Sequence, residues 1–286
     1  MYSIVIPGYN EEESIFKTVR AVYEVMETHQ LTPFEVIVVN DGSQDRTGEL
    51  AAESGAKVIT NPANTGYGFS LKRGITAAQY NAIIITDADG TYPIDKIPEL
   101  VGEYNLGFDM VVGARTGEHY WEGIIKASMR LILKFLVEFS TGRPIPDINS
   151  GLRIFSRDIA SELFCHLSNS FSFTTSITMY FMNNLRFVKY IPISYHKRVG
   201  KSKVRLWPDA LRTLQYIIQA MLFSNPIKLF LLIAAIPFLL ALLLTVVSLI
   251  TFNMTMLYCA LGAFLVAILV FSIGLTGDLL RQINNV

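Results

Sequence analysis

Two long apolar stretches occupy the last quarter of this 286-residue chain. Residues 227–250 contain one charged residue, Lys228, and residues 255–277 contain none. Each stretch exceeds the roughly 20 apolar residues that an α-helix needs to cross a bilayer. Long helices of soluble proteins are rarely apolar on every side. The pattern therefore predicts a two-helix transmembrane anchor over residues 226–286.

The charges around these stretches predict their orientation. Six basic residues lie between positions 197 and 212, and Arg281 follows the second stretch. Because positive charge is retained on the cytoplasmic side of a membrane, we expect both termini and the first 204 residues to be cytoplasmic. The first residues have no basic segment followed by an apolar one, so we expect no cleaved signal peptide.

The first 204 residues alternate short β-rich runs with helical patterns. The runs are β-branched and apolar on both faces, which is typical of parallel strands covered on both sides. The alternation predicts an α/β doubly wound sheet that binds ligands beyond the carboxyl ends of its strands. The predicted strands are 2–6, 35–39, 57–60, 82–86 and 109–114, and the predicted helices are 11–29, 45–54, 68–80 and 94–104.

Residues 205–225 form a third region between the α/β part and the anchor. Apolar residues recur along it at helical spacing, from Leu211 to Leu222. This pattern predicts an amphipathic helix that lies in the membrane interface. A helix packed on the α/β domain is the alternative.

Acid-bearing turns follow three of the predicted strands. Strand 2–6 leads into PGYNEEE, strand 35–39 into NDGS, and strand 82–86 into DADG. If the strands are neighbours, these acids meet at one edge, where they repel unless a cation or hydrogen-bond donors compensate them. Asp87 and Asp89 are hard oxygen donors, one residue apart, and could share a Mg²⁺ or Mn²⁺ ion with substrate phosphates.

Several motifs carry a family resemblance. The segments IVIPGYNEEESI, VIVVNDGSQDRT, NTGYGFSLKRGI and DADGTYP, in this order and spacing, resemble glycosyltransferase family 2 of the GT-A fold. The segments VVGAR, DINSGLRIFSR and HKRVGKSK resemble the branch with dolichol-phosphate mannose synthases and bacterial undecaprenyl-phosphate glucosyltransferases.

The resemblance implies a Rossmann-like mixed sheet and an inverting, metal-dependent transfer. A hexose would move from a UDP- or GDP-sugar to a polyprenyl phosphate, undecaprenyl or dolichyl, with Mg²⁺ or Mn²⁺ as cofactor. The product would be a sugar linked to the lipid phosphate. We also expect a homo-oligomer, because two spans per chain present more lipid-binding surface when several chains assemble.

The resemblance assigns a role to each matching residue. The residues implied in nucleotide-sugar binding are Pro7, Gly8, Tyr9, Glu11, Asp41, Asp87, Ala88 and Asp89, of which Asp87 and Asp89 also meet the metal. The residues implied in catalysis are Asp89, Arg115 and Arg130, and those implied in binding the acceptor phosphate are Arg115, Arg130, Arg198 and Lys203. Thr91 stands where several relatives have a metal-binding Gln, which leaves its part in the metal shell open.

Other functions fit parts of the pattern. A transferase acting on a hydroxyl needs a base, which Asp147 could be in relatives of that kind, whereas in this chain we expect Asp147 to have a structural or acceptor-site role. A processive polysaccharide synthase usually has a QxxRW motif, which this sequence lacks. A nucleotidyltransferase would carry a Gly-rich basic loop after its first strand, and a non-catalytic membrane scaffold would not need three intact acidic turns. The formal net charge of zero gives no indication of a nucleic-acid partner.

Overall fold

A computed structural model describes residues 1–116, 124–196 and 206–284 of the chain. The chain divides into two units. The first, Met1–Ile217, is built on a β-sheet, and the second, Ile218–Val286, is helical.

A mixed sheet organises the first unit. In the described residues its strands are β1 (Tyr2–Gly8), β2 (Phe34–Asn40), β3 (Lys57–Thr60), β4 (Ala82–Ile85), β5 (Met110–Thr116), β6 (Arg153–Ser156) and β7 (Val188–Ser194). Their order across the sheet is β3-β2-β1-β4-β6-β5-β7. All neighbours are parallel except that β6 runs antiparallel to β4 and β5. The sheet is therefore the mixed one that the family resemblance implies.

Helices follow the strands and cover the sheet. They are α1 (Ile15–Thr28), α2 (Thr47–Glu53), α3 (Tyr67–Ala77), α4 (Ile97–Asn105), α5 (Ile124–Thr141), α6 (Arg157–Glu162), α7 (Phe173–Asn183) and α8 (Leu206–Ser224). A single 3-10 turn, Ile94–Lys96, precedes α4. The five strands and four helices expected from the sequence are confirmed, with bounds that differ by at most four residues.

Strands β6 and β7 are missing from the sequence prediction, which named five strands. Strand β6 is four residues long and begins with Arg153, whose charge argues against a buried strand. Its guanidinium is nevertheless fully buried, because it donates to the carbonyls of Ser150 and Thr174 and to the hydroxyl of Thr178. Strand β7 contains Pro192, which is tolerated because β7 is the last strand of the sheet.

Helix α3 packs closely on β1 and β2 because Gly74 has no side chain. A Cβ atom at this position would lie 2.3 Å from Cγ1 of Val5 and 3.1 Å from Cγ2 of Val39. This close approach fixes α3, and the loop that precedes it, against the two strands whose ends carry Asp41 and the PGYNEEE turn.

Helix α8 has two different faces over its first turns. Thr213 and Ile217 are buried, and the hydroxyl of Thr213 lies 2.8 Å from that of Ser172. Trp207 and Leu211 remain 65% and 63% exposed. One face thus packs on the α/β unit, as the alternative reading expected, and the other is apolar and open. The interfacial position stays a prediction.

The second unit contains a helical hairpin. Helices α9 (Pro226–Thr251) and α10 (Met254–Asn284) are both long and apolar enough to cross a membrane. They are antiparallel, since Gly277 lies against Pro226 and Gly274 lies against Phe230. The connection is two residues long, and Asn253 caps α10 by accepting a hydrogen bond from the backbone N–H of Thr255 at 2.9 Å.

We predict that Gly74→Ala destabilises the protein. Overpacking against Val5 and Val39 costs about 1–3 kcal/mol, more than the gain of about 1 kcal/mol that Ala brings to a helix. Thermal unfolding of the detergent-solubilised chain checks this. The matched control is Gly102→Ala in α4, where a Cβ meets nothing within 4 Å, and it should be neutral or stabilising. Equal behaviour of the two variants would contradict the packing argument.

Candidate active site

The sheet order brings the predicted acidic turns together. Strands β2, β1 and β4 are neighbours and parallel, so their carboxyl ends lie at one edge. The turns also touch directly. The backbone N–H of Asn10 donates to Ser43 Oγ at 3.0 Å, and that of Glu11 donates to Thr47 Oγ1 at 2.7 Å. The prediction that these turns share one edge is confirmed.

Asp41 is buried directly after β2 and is held by donors. Its Oδ1 accepts hydrogen bonds from Asn61 Nδ2 at 2.7 Å and from the N–H and hydroxyl of Thr65 at 3.0 and 2.6 Å. Its Oδ2 accepts from the N–H of Gly66 at 2.9 Å. Burial by itself raises the pKa of Asp41, but these hydrogen bonds outweigh it and hold that pKa below its ordinary value. Asp41 is therefore an anion that organises the segment 61–66.

Asp87 follows β4 and is held by Tyr67, the first residue of α3. The Tyr67 hydroxyl donates to Asp87 Oδ1 at 2.8 Å, and its ring stacks on Phe171. Burial, and then the Asp87 carboxylate, raise the pKa of Tyr67, so the phenol remains a donor. On its other side Asp87 lies close to the backbone of Gly151, since a Cβ atom at position 151 would be 2.8 Å from Asp87 Oδ1.

Asp89 is buried and is oriented by Thr91. The N–H and hydroxyl of Thr91 donate to Asp89 Oδ1 at 3.1 and 2.6 Å. Thr91 is itself completely buried, and its carbonyl accepts from the N–H of His196. Its hydroxyl therefore positions the Asp89 carboxylate.

Arg115, near the end of β5, forms a buried ion pair with Asp147. Its Nε and Nη2 donate to the two carboxylate oxygens at 2.7 and 2.9 Å, and its backbone N–H adds a third bond at 3.1 Å. Its guanidinium also lies over the Tyr195 ring. Although burial by itself raises the pKa of Asp147, the charge and hydrogen bonds of Arg115 hold it below its ordinary value.

The other predicted residues fall into three groups. Pro7, Gly8 and Ala88 are buried, and a Cβ at Gly8 would lie 3.3 Å from Thr47, so the end of β1 lies close to the start of α2. Tyr9 and Glu11 are partly exposed in the first turn. Arg130 lies in α5 but its side chain is outside the described part of the chain, as are Arg198 and Lys203 entirely.

The donor set at the DADG turn fits a hard divalent ion shared with a ligand. Among the described residues no group of three or more His, Cys, Asp or Glu side chains could hold a metal by itself. Mg²⁺ usually binds one or two protein carboxylates, with water and substrate phosphates completing its shell. Asp87 and Asp89 supply that number of carboxylates.

A sequence comparison gives the family. The profile described as glycosyl transferase family 2 matches residues 3–164, which is more than half of the chain. The chain therefore belongs to glycosyl transferase family 2.

Three relatives of known name are similar over much of this sequence. The chain is 32% identical over 233 residues to a low-salt glycan biosynthesis hexosyltransferase of Haloferax volcanii, covering 78% of this chain and 55% of the relative. It is 28% identical over 206 residues to a dolichyl-phosphate hexose transferase of that organism, covering 71% and 86%. It is 30% identical over 176 residues to an undecaprenyl-phosphate 4-deoxy-4-formamido-L-arabinose transferase of Salmonella choleraesuis, covering 59% and 53%. The chain thus spans about half the length of the first and third relatives.

Solved structures support the GT-A fold. Glucosyl-3-phosphoglycerate synthase from Mycobacterium tuberculosis, in complex with Mn²⁺, UDP and glucosyl-3-phosphoglycerate, superposes with a TM-score of 0.62 at 20% identity, over 77% of this chain and 79% of that one. The same enzyme with Mg²⁺ and UDP gives 0.63.

The structure adds residues that the sequence argument did not single out. Thr65 and Tyr67 hold Asp41 and Asp87, and both lie in the NTGYGFSLKRGI segment, which entered the sequence analysis only as a motif of the family resemblance. Tyr92 accepts a hydrogen bond from the N–H of Gly151 at 2.6 Å and contacts Tyr195 edge-on. The signal for Tyr67 is its place between two glycines in a motif that already matched the family. No local pattern identifies Tyr92 or Gly151.

We predict that Asp147→Asn lowers the free energy of unfolding near neutral pH. We also predict that this free energy depends less on pH in the acidic range. The pKa of Asp147 lies below its ordinary value of 3.8, so the carboxylate stabilises the fold above that value and loses this effect as the pH falls through the folded-state pKa. Removing one partner of a buried pair costs about 3–5 kcal/mol.

Unfolding of the full chain in detergent, followed from pH 7 towards pH 3, checks this prediction. The variant should be less stable at pH 7 and should show a flatter curve at the acidic end. Glu35→Gln, at a carboxylate outside the site, provides a control substitution. A variant as stable as the parent at pH 7 would show that the ion pair contributes no stability.

Proposed function

We propose that the chain is a membrane-bound, inverting glycosyltransferase that moves a hexose from a nucleotide sugar to a polyprenyl phosphate. Membership of family 2 supports the transferase class. Two relatives are named as transferases for dolichyl phosphate and undecaprenyl phosphate, which supports the acceptor class. Both UDP- and GDP-sugars remain candidate donors.

The observation that carries the choice of acceptor is the engagement of Asp147 by Arg115. A hydroxyl acceptor requires a base that takes up its proton. Asp147 is the candidate base, but both of its oxygens accept hydrogen bonds from Arg115, and its pKa is lowered rather than raised. A phosphate monoester needs no base, because its second pKa is about 6 and it is already a dianion near neutral pH.

The remaining difficulty is electrostatic. A dianionic acceptor must approach a donor that carries a diphosphate. Arg115 is rigidly oriented by Asp147 and Tyr195, which favours recognition of a phosphate in one geometry. Arg130, Arg198 and Lys203 are proposed to complete the acceptor site. The lipid phosphate would then attack C1 of the sugar from the face opposite the leaving nucleotide, which inverts the anomeric configuration.

Asp87 and Asp89 would hold a divalent ion at the diphosphate of the donor. Structural neighbours contain Mn²⁺ or Mg²⁺ together with UDP, which supports this assignment. When bound, such an ion stabilises the negative charge of the leaving diphosphate. Tyr67 and Thr91 keep the two carboxylates in place, and the Asp41 loop with Pro7, Gly8, Tyr9, Glu11 and Ala88 would contact the nucleotide.

The apolar hairpin α9–α10 is proposed to cross the membrane, with the α/β unit and both termini in the cytoplasm. The length and composition of the two helices and the basic residues before them support this topology. A homo-oligomer remains part of the proposal.

A donor panel tests the activity. Purified full-length chain is given polyprenyl phosphate, Mg²⁺ or Mn²⁺, and radiolabelled UDP- and GDP-hexoses. We expect a chloroform-soluble labelled product from one donor, lost with EDTA. Asp89→Asn should reduce the rate on the order of a hundredfold or more, because it removes the carboxylate charge that would hold the divalent ion at the donor diphosphate.

The control for this test is Asp95→Asn, a matched change in the following 3-10 turn outside the site. It should retain activity. Label recovered only as free sugar, from every donor, would refute transfer to the lipid.

A pH–rate profile distinguishes the two acceptor classes. We predict that the rate rises with pH through a pKa of about 6, which belongs to the acceptor phosphate and therefore persists in Asp147→Asn. The variant should be slower, because Arg115 is no longer held. If Asp147 were the base, the acidic limb would instead disappear with the substitution. Loss of that limb would favour the hydroxyl-directed transferase.

A further inference from the structure

A polar cavity of about 420 Å³ lies beside the candidate active site, within the first unit. Helix α8 supplies Arg212, Gln215 and Tyr216 to its wall, and two loops supply Thr65, Asn169 and Ser170. The described residues that line the cavity include hydrogen-bond donors and one cation but no carboxylate. This chemistry suits an anion that accepts several hydrogen bonds.

Arg212 is available for such a ligand. It is exposed, and in the described part of the chain no ion pair joins it to a carboxylate. The amide oxygen of Asn169 accepts a hydrogen bond from Lys72 Nζ at 2.7 Å, so the amide NH₂ end of Asn169 remains as a donor. A guanidinium and side-chain amides are suited to binding phosphate oxygens.

The cavity wall is continuous with the segment that holds the acids. Thr65 lines the cavity and also donates to Asp41, and Tyr67, two residues later, donates to Asp87. The second loop braces the same segment: Asn169 O accepts from the N–H of Phe69 at 3.0 Å, and the Phe171 ring stacks on Tyr67. A ligand in the cavity would therefore restrict the residues that position both carboxylates.

The open face of α8 indicates where the ligand comes from. Leu211, which is 63% exposed, directly precedes Arg212, and Trp207, one turn earlier, is 65% exposed. Trp beside exposed aliphatic residues is typical of helices at a membrane surface. A lipid that contacts these side chains would have its headgroup close to Arg212.

We propose that this cavity binds the phosphate group of an anionic membrane lipid and that binding stabilises segment 61–67. None of the proposed acceptor residues Arg115, Arg130, Arg198 and Lys203 is needed for this binding. It does not depend on whether the chain transfers a sugar.

Amide hydrogen exchange tests the proposal without using activity. The full chain is placed in phosphatidylcholine nanodiscs with or without phosphatidic acid, and exchange is followed by mass spectrometry over segment 61–67. Phosphatidic acid should slow the exchange of the Thr65 and Gly66 amides, which donate to Asp41, by about fivefold or more, the low end of ordinary coupling between sites. Arg212→Gln should lose this slowing and Arg212→Lys should keep part of it.

Three further arms identify the ligand. Lys17→Gln, at an exposed cation on α1, is the matched control and should behave as the parent chain does. Oleate supplies negative charge without phosphate and should not slow exchange. Inorganic phosphate alone tests a soluble source, and slowing by it but not by phosphatidic acid would overturn the lipid assignment. Absence of any slowing, or equal slowing in Arg212→Gln, would overturn the site itself.

Discussion

Negative charge concentrated at one edge of a sheet must be compensated, and this requirement shapes the whole candidate site. Parallel β2, β1 and β4 end together, which brings Asp41, Asp87 and Asp89 to the same edge. Each carboxylate is held by hydrogen-bond donors: Thr65 and Gly66 for Asp41, Tyr67 at the start of α3 for Asp87, and Thr91 of the same turn for Asp89. These donors fix the oxygens in position before any ligand arrives, and preorganised charge of this kind is what stabilises a transition state.

The antiparallel strand β6 provides the second half of the site. Because β6 runs between β4 and β5, the chain that leads into it passes both Asp87 and Arg115. Asp147 fixes Arg115, and Gly151 lets the backbone approach Asp87 closely. The buried guanidinium of Arg153 then ties this crossing to α7 by donating to the carbonyl oxygen of Thr174 and the hydroxyl of Thr178. The segment that leads into β6 therefore positions the guanidinium of Arg115 and also constrains the carboxylate of Asp87.

The sequence predicted those parts of the structure that depend on local pattern. Apolar β-branched runs indicated five strands, the DADG and NDGS turns indicated the acids, and two long apolar stretches indicated the hairpin of α9 and α10. Strands β6 and β7 were not predictable in this way, since Arg153 and Pro192 contradict strand propensity and are tolerated only because of tertiary contacts and an edge position. The pairing of Arg115 with Asp147 joins residues 32 positions apart, and no spacing rule reveals it.

In the proposed reaction the acceptor is a phosphate and the anomeric configuration of the transferred sugar is inverted. NMR of the purified lipid product tests this directly. We expect the ³¹P resonance of the polyprenyl phosphomonoester to be replaced by that of a phosphodiester coupled to the anomeric proton of the sugar, with a configuration opposite to that of the donor. An unchanged phosphomonoester resonance while the donor is consumed, or a diester with retained configuration, would contradict it.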